Sequence, residues 1–198
     1  MAMTDKIVYF LRHGEAESNA GHFFAGQSDV ALTTLGIEQA KATAPLLRHI
    51  TFDKIFCSDL QRAKSTAALA LPGYACEYTP NIREIHVGEL AFQYIADCEV
   101  KYGERYLNAR RAGDYSSFGG ESHEQLRTRA QDFLDMLATM EDTPIVGAVC
   151  HGGFIRATAG CVLGSSSGLA MPDNCAIAKF TYKDGIWRLN KWNVTVEV

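Results

Sequence analysis

The sequence predicts an α/β fold, a three-layer doubly wound and mostly parallel sheet with helices on both faces and a C-terminal antiparallel edge hairpin. Short apolar segments alternate with longer segments of helical periodicity, which is the pattern of successive βα units. The run at 145–150 is apolar at almost every position, as expected of a strand buried on both faces of a parallel sheet. Near the C-terminus, Asp184-Gly185 separates two apolar segments and indicates a tight hairpin turn.

The N-terminal half is predicted to hold three strands and two helices. Thr33 and Thr34 are candidate N-caps of the first helix, and Ser58 or Asp59 is the candidate cap of the second, because short polar side chains accept hydrogen bonds from the first helical N–H groups. A polar loop rich in small residues separates the first strand from the first helix. The strands are predicted at 6–12, 53–57 and 75–78, the loop extends to residue 32, and the second helix covers 60–70.

The C-terminal half begins with a segment of mixed character at about 90–120, which we expect to form a helical and loop excursion covering the site. Residues 122–140 follow with apolar side chains at helical spacing, so this helix should pack on the sheet. The strand at 145–150 comes next, and a hairpin of strands at 175–182 and 186–193 ends the chain.

Length and composition indicate one domain over residues 1–198. A chain of 198 residues that is 47% hydrophobic can bury a sizeable core and is short for two domains. The formal net charge of −4 argues against nucleic-acid binding, since such surfaces carry clustered Lys and Arg. Oligomeric state is left open, with a homodimer through an edge strand as one alternative.

The cysteines and the N-terminus favour a cytoplasmic protein with no membrane association. The six cysteines show no C-x-x-C spacing, and a chain of this length needs no disulfide staples, so reduced thiols are expected. Residues 1–6 lack the pattern of a signal peptide, and no apolar stretch approaches about 20 residues.

Two predicted strands end directly at a histidine that a glycine follows. These are His13-Gly14 after the first strand and His151-Gly152 after the strand at 145–150. In open α/β sheets ligands bind at the carboxyl ends of strands, and glycine allows a backbone to approach a ligand closely. An imidazole at such a position can face a bound anion, which makes both histidines candidate functional residues.

Three further charged residues lie where they can join this pair. Arg12 precedes His13, and Arg62 lies in the first turn of the helix that follows the second strand. A guanidinium ion is suited to neutralising a phosphate, because its donors match the geometry of phosphate oxygens. Glu84 follows the third strand and can act as a proton donor in a buried site.

Taken in order, these segments resemble the histidine phosphatase superfamily, the phosphoglycerate-mutase-like group, over nearly the whole chain. The glycine-rich loop and the first helix add to the strand-end motifs. The matching segments are Leu11-Arg12-His13-Gly14-Glu15, Ser18-Asn19, Gly26, Asp29, Leu32-Thr33-Thr34-Leu35-Gly36, Ser58-Asp59-Leu60-Gln61-Arg62-Ala63, Thr66, Glu84 with Gly88, Gly120-Glu121-Ser122 and His151-Gly152-Gly153.

The resemblance implies a phosphohistidine mechanism on a small phosphorylated metabolite, without a metal ion or another cofactor. By similarity, His13 attacks phosphorus and Glu84 protonates the leaving oxygen. The remaining residues implied to hold the phosphoryl group are Arg12, Arg62, His151, Asn19, Gly26 and Gly152.

A phosphatase is the expected activity, with two alternatives. Phosphatases of the group commonly carry Glu-Gly where this chain has Ala91-Phe92, whereas Glu84-Ile85-His86-Val87-Gly88 partly resembles a mutase motif. Arg110 and Arg111 are candidates for binding the rest of the substrate, in a segment that resembles one gripping phosphoglycerate in mutases. A cofactor-dependent phosphoglycerate mutase is therefore the first alternative, and a noncatalytic phospholigand-binding protein is the second.

Overall fold

A computed structural model describes residues 5–198. Residues 1–4, part of the N-terminus in which the sequence shows no signal-peptide pattern, lie outside the described residues. Six strands, β1 to β6, are Lys6–Arg12, Lys54–Ser58, Glu77–Thr79, Ile145–Cys150, Ile177–Lys183 and Ile186–Val194. Seven α-helices, α1 to α7, are Glu17–Ala20, Thr34–Leu47, Gln61–Ala70, Ile95–Tyr102, Glu104–Ala112, His123–Thr139 and Gly152–Leu163.

The strands form one sheet in the order β3-β2-β4-β1-β5-β6. The pairs β1–β4, β2–β4 and β2–β3 are parallel, while β5 runs antiparallel to both β1 and β6. Asp184 and Gly185 both have positive φ, 53° and 78°, as a two-residue type I′ hairpin turn requires. The mostly parallel sheet and its C-terminal hairpin confirm the fold predicted from the sequence.

Helices cover both faces of the sheet. Alternation along β1 sends Phe10 into a core cluster with Phe133 of α6 and Phe154 of α7. The next residue, Leu11, faces the opposite side and packs with residues of α2 and α3. The three-layer arrangement follows from this alternation, because neighbouring strand residues point to opposite faces.

One local prediction was wrong, and one helix was not predicted. Neither Ser58 nor Asp59 caps α3; instead the Asp29 carboxylate accepts a hydrogen bond from Gln61 N at 2.7 Å, so the cap comes from a loop distant in sequence. Helix α7 was not predicted at all. It starts at two glycines and buries seven of its residues, so it shows no polar face that would reveal a helical period.

The segment predicted as an excursion contains α4, α5 and two short 3₁₀ turns. It builds a separate cluster of buried side chains that includes Leu90, Cys98, Tyr106 and Phe118. Gly88 allows the backbone at the start of this segment to approach the backbone at Phe118 closely, since a Cβ on Gly88 would lie 1.7 Å from the Phe118 carbonyl oxygen. That this segment covers the site, and that a homodimer forms, stay predictions. Among residues 5–198, no helix has the length and hydropathy that crossing a membrane requires.

Candidate active site

His13 and His151 lie side by side at the carboxyl edge of the sheet. The two strands that precede them, β1 and β4, are parallel neighbours with Arg12 in register with Cys150. His13 N donates to the Cys150 carbonyl oxygen at 3.0 Å, and the two imidazole ring centroids are 5.1 Å apart. Adjacent parallel strands therefore bring together residues that are far apart in sequence.

His13 is held in a single tautomer in which Nε2 carries no proton. Its Nδ1 lies 2.7 Å from the Gly14 carbonyl oxygen, which can only accept, so Nδ1 carries the proton. The Nε2 lone pair then faces Arg62, whose Nε donates to it at 3.3 Å. Thr66 fixes the backbone beyond the histidine, because its Oγ1 accepts from Gly14 N at 3.0 Å. This arrangement leaves Nε2 able to act as a nucleophile.

His151 is fully buried and reaches the site with one nitrogen unpaired. Its Nε2 forms a hydrogen bond of 2.8 Å with Ser58 Oγ at the end of β2. Its Nδ1 is buried and has no hydrogen-bond partner within the described part of the chain. An unpaired buried nitrogen is costly, so it favours a ligand that can pair with it.

Arg62 is a buried cation, 2% exposed, that contacts both His13 and the loop before α2. Its Nη1 and Nη2 donate to the carbonyl oxygens of Ser28 and Gly26 at 2.9 and 2.7 Å. Burial lowers the pKa of Arg62 to about 10, so it stays charged at neutral pH. Since carbonyl oxygens are neutral, these bonds orient the guanidinium ion and leave its charge uncompensated.

Arg12 brings a second cation to the same place. Its Nη1 donates to the Pro172 carbonyl oxygen at 2.5 Å, and its buried Nε has no partner among residues 5–198. In that range, neither Arg12 nor Arg62 forms an ion pair with a carboxylate. Two neighbouring cations, one buried and one partly buried, without an ion-paired carboxylate make a local site for an anion, because an uncompensated charge shielded from water is costly.

Glu84 contacts the N-terminus of α7 and lines the same cavity as these cations. Its Oε2 accepts from Gly153 N at 3.0 Å, and its Oε1 accepts from Ile85 N at 2.9 Å. The absent side chain of Gly153 makes room for it, since a Cβ there would lie 2.1 Å from Oε1. The carboxyl group is therefore held in place with its remaining lone pairs available to exchange a proton.

Asn19 and Gly26 complete the rim of the anion site. Asn19 Oδ1 accepts from Ala16 N and from Asn174 Nδ2, at 3.0 and 3.3 Å, which leaves the amide N–H groups of Asn19 without a partner among the described residues. Gly26 has a φ of +54°, and a Cβ there would lie 2.6 Å from Val87. Gly152, next to His151, similarly allows Arg12 and Met171 to approach the backbone.

A cavity of about 210 Å³ joins these groups. Six of the residues predicted from the sequence line it, namely Arg12, His13, Asn19, Gly26, Arg62 and Glu84. The imidazole of His151 lies beside that of His13, and Gly152 lies against Arg12. Arg110 and Arg111, by contrast, lie outside the cavity on the exposed part of α5, where Arg111 Nη1 donates to Asn108.

Sequence reasoning did not single out three residues that position the site. Asn174 Nδ2 donates to the His13 carbonyl oxygen at 3.1 Å, and Ser58 orients His151. Arg129 of α6 donates to the Glu84 carbonyl oxygen at 3.3 Å and pairs with Glu121 at 2.7 Å. The motif containing Ser58 could have indicated that residue, whereas nothing local signals Asn174 or Arg129.

Both histidines resist protonation in the folded protein. Burial, reinforced by the charge of Arg62, lowers the pKa of His13 and of His151 well below the ordinary value of 6.5. The unfolded chain takes up these protons below about pH 6.5 while the folded chain does not. Stability should therefore be lost as the pH falls from the unfolded pKa toward the folded pKa values.

We expect the free energy of unfolding to fall as the pH is lowered below about 6.5, because the unfolded chain binds a proton at each of these two histidines and the folded chain does not. Urea unfolding at pH 7.5 and 5.5 measures this dependence. His13→Asn should remove about half of it, whereas His49→Asn, at an exposed histidine, should leave it unchanged. Equal pH dependence in the His13 variant and the unaltered protein would contradict the expectation.

Within residues 5–198, no group of three or more His, Cys, Asp or Glu side chains is arranged to hold a metal ion. The charge of the site comes from its arginines. An imidazole with an unprotonated nitrogen, two cations beside it and a carboxyl group in the same cavity can carry out transfer of a phosphoryl group to nitrogen.

The chain is similar to known proteins in sequence and in fold. An adenosylcobalamin/alpha-ribazole phosphatase of Salmonella typhi is 31% identical over 191 residues, covering 91% of this chain and 87% of the relative. A probable phosphoglycerate mutase GpmB of Photorhabdus laumondii is 30% identical over 199 residues, covering 94% and 90%. The solved structure of a mycobacterial glucosyl-3-phosphoglycerate phosphatase with VO3 superposes with a TM-score of 0.86 at 28% identity, covering 96% of this chain and 100% of that one.

The family model of the histidine phosphatase superfamily, branch 1, matches residues 8–195. That range contains both strand-end histidines, both arginines and Glu84. The chain therefore belongs to the histidine phosphatase superfamily.

Proposed function

We propose that this protein is a phosphomonoesterase that hydrolyses a small phosphorylated metabolite through a phosphohistidine at His13. The observation that supports this most directly is the unprotonated Nε2 of His13 beside two arginines that lack counter-ions. A phosphoryl dianion supplies the missing charge, and the nitrogen lone pair supplies the nucleophile.

In the first step, His13 Nε2 forms a bond to phosphorus while the bond between phosphorus and the leaving oxygen breaks. Arg12 and Arg62 stabilise the charge on the nonbridging oxygens, and the unpaired Nδ1 of His151 and the amide of Asn19 offer further contacts. Glu84, in its carboxylic acid form, gives its proton to the leaving oxygen.

In the second step, water enters and attacks phosphorus. The Glu84 carboxylate now accepts a proton from that water, the bond from Nε2 to phosphorus breaks, and inorganic phosphate leaves. His13 returns to the neutral tautomer that the Gly14 carbonyl oxygen selects. Each group thus ends the cycle as it began, without a metal ion or other cofactor in either step.

Phosphorus NMR of a phosphometabolite mixture tests this function. The mixture contains glycerol phosphate, nucleoside monophosphates, phosphoserine and 3-phosphoglycerate with a trace of 2,3-bisphosphoglycerate. We expect inorganic phosphate to grow at the expense of at least one component with the unaltered protein and not with His13→Ala. Formation of 2-phosphoglycerate without phosphate release would show the mutase instead, and binding without turnover would show a noncatalytic phospholigand-binding protein.

A further inference from the structure

Apart from its charged and amide groups, the cavity is lined mainly by apolar and aromatic side chains. Six of them surround the space that the organic part of a substrate would occupy: Phe23, Phe24, Ile85, Val87, Tyr115 and Met171. We call Phe23, Phe24 and Tyr115 the aromatic wall. Rings in this position contribute apolar contact area and offer faces for stacking.

The aromatic wall is held in place by the excursion. Phe24 N donates to the Gln93 carbonyl oxygen at 3.0 Å, and Phe92 N donates to the Phe24 carbonyl oxygen at 2.7 Å. The Phe23 ring stacks on Phe92 with centroids 6.1 Å apart, and the Phe24 ring meets Tyr115 edge-on at 6.1 Å. Because the rings are fixed by other contacts before a ligand arrives, binding costs little side-chain entropy.

The charges in the cavity do not suit an acidic leaving group. Among the described residues that line it, the cationic side chains are Arg12 and Arg62, and the phosphoryl group takes both. The Glu84 carboxyl group, which also lines the cavity, offers no positive charge to a second anion. Arg110 and Arg111 are not among the residues that line the cavity, so the described lining offers no third cation to a substrate carboxylate, and removing a carboxylate from water without a partner is costly.

The size of the cavity limits what accompanies the phosphoryl group. Its volume of about 210 Å³ lies below the range of about 300–1,000 Å³ typical of pockets for drug-sized ligands. One ring or a short chain is therefore the size of group that can be enclosed.

Building on the proposed function, we propose that the preferred substrates are phosphomonoesters of a small, uncharged, ring-bearing or apolar alcohol, and that the aromatic wall selects them against phosphorylated carboxylic acids. Phosphoglycerates and phosphoserine are then poor substrates. The selection lies in binding of the organic part and leaves the chemistry at His13 unchanged.

A pair of synthetic esters that differ only in charge tests this selection. 4-Carbamoylphenyl phosphate and 4-carboxyphenyl phosphate match in shape, and the second carries an extra negative charge. We expect kcat/KM to be at least about tenfold higher for the carbamoyl ester, because the carboxylate finds no cation. Equal values, or a preference for the carboxylate, would overturn the proposal.

Variants show whether the aromatic wall is responsible. Phe23→Ala should raise KM for phenyl phosphate about tenfold while changing kcat/KM for methyl phosphate less than twofold, since methyl phosphate is too short to reach the ring. Tyr78→Ala, at an exposed aromatic residue on β3, is the matched control and should change neither. Losses of the same size with both esters for Phe23→Ala would count against the wall.

The double variant Arg110→Ala, Arg111→Ala separates the proposal from substrate binding by the arginine pair. It should leave the ratio of kcat/KM for 4-carbamoylphenyl phosphate to kcat/KM for 4-carboxyphenyl phosphate unchanged. If the arginine pair bound acids, the double variant would lower activity on 4-carboxyphenyl phosphate alone. Failure of the proposed phosphatase function can be distinguished from failure of the proposed substrate selection. If the protein is not a phosphatase, none of the esters releases phosphate in a reaction that depends on His13.

Discussion

His13→Ala is expected to lower kcat by about 10⁴-fold or more, because the variant has no atom that can form the bond to phosphorus. The neighbouring cations remain, so phosphate and substrates should still bind. Assays of phosphate release at fixed times measure the loss of kcat. Acid-labile and alkali-stable radioactivity retained on the unaltered protein after quenching with a ³²P-labelled ester, and absent from the variant, identifies the phosphohistidine.

The control for this experiment is His49→Ala, which removes an exposed histidine. It should retain full turnover and the same labelled intermediate. His151→Ala keeps the nucleophile but loses a contact to the phosphoryl group, so it should label slowly. Turnover by His13→Ala above about a tenth of the unaltered rate would show that another group attacks phosphorus.

Glu84→Gln is expected to slow hydrolysis of alkyl phosphates by about 10²–10⁴-fold, because the leaving alkoxide needs a proton. The effect on transfer to His13 should be small for 4-nitrophenyl phosphate, since nitrophenolate leaves without protonation. Dephosphorylation still needs Glu84 as the base for water. The variant should therefore release one equivalent of nitrophenolate in a burst and then turn over slowly.

A variant that displaces the Glu84 carboxyl group without removing it measures the contribution of this group independently. Gly153→Ala places a Cβ 2.1 Å from the position of Glu84 Oε1 and should reproduce the loss with alkyl phosphates in weaker form. Gly160→Ala is the matched control, because it lies in the same helix and its Cβ would meet no atom closer than 3.4 Å. Equal slowing of the first turnover for alkyl and nitrophenyl esters in Glu84→Gln would remove the acid role.

The parts of the site that could be predicted from the sequence are those fixed by strand ends. His13 and His151 follow apolar runs directly, and parallel strands end at one edge of a sheet, so their meeting requires only that β1 and β4 be neighbours. That β1 and β4 are neighbours in the sheet cannot be read from the local sequence pattern of either strand. The resemblance to a family supplied the link between the two segments and also the position of Glu84.

The groups that sequence reasoning missed act through contacts between distant segments. Asn174 reaches His13 across 161 positions, and Asp29 caps α3 across 32 positions. Such partners leave no periodic or local signal. Arg110 and Arg111 show the converse case, since a paired-arginine motif was visible in the sequence while its distance from the cavity depends on how the excursion packs.

The position of β1 in the sheet has a consequence for biosynthesis. Both neighbours of this first strand, β4 and β5, come from the last third of the chain. A nascent chain therefore carries Ile7, Val8 and Phe10 without their native partners until residues 145–183 have left the ribosome. During that interval the segment is a candidate for chaperone binding and aggregation. The protein should become active only at a late stage of synthesis, because His151 directly follows β4, the strand that pairs with β1.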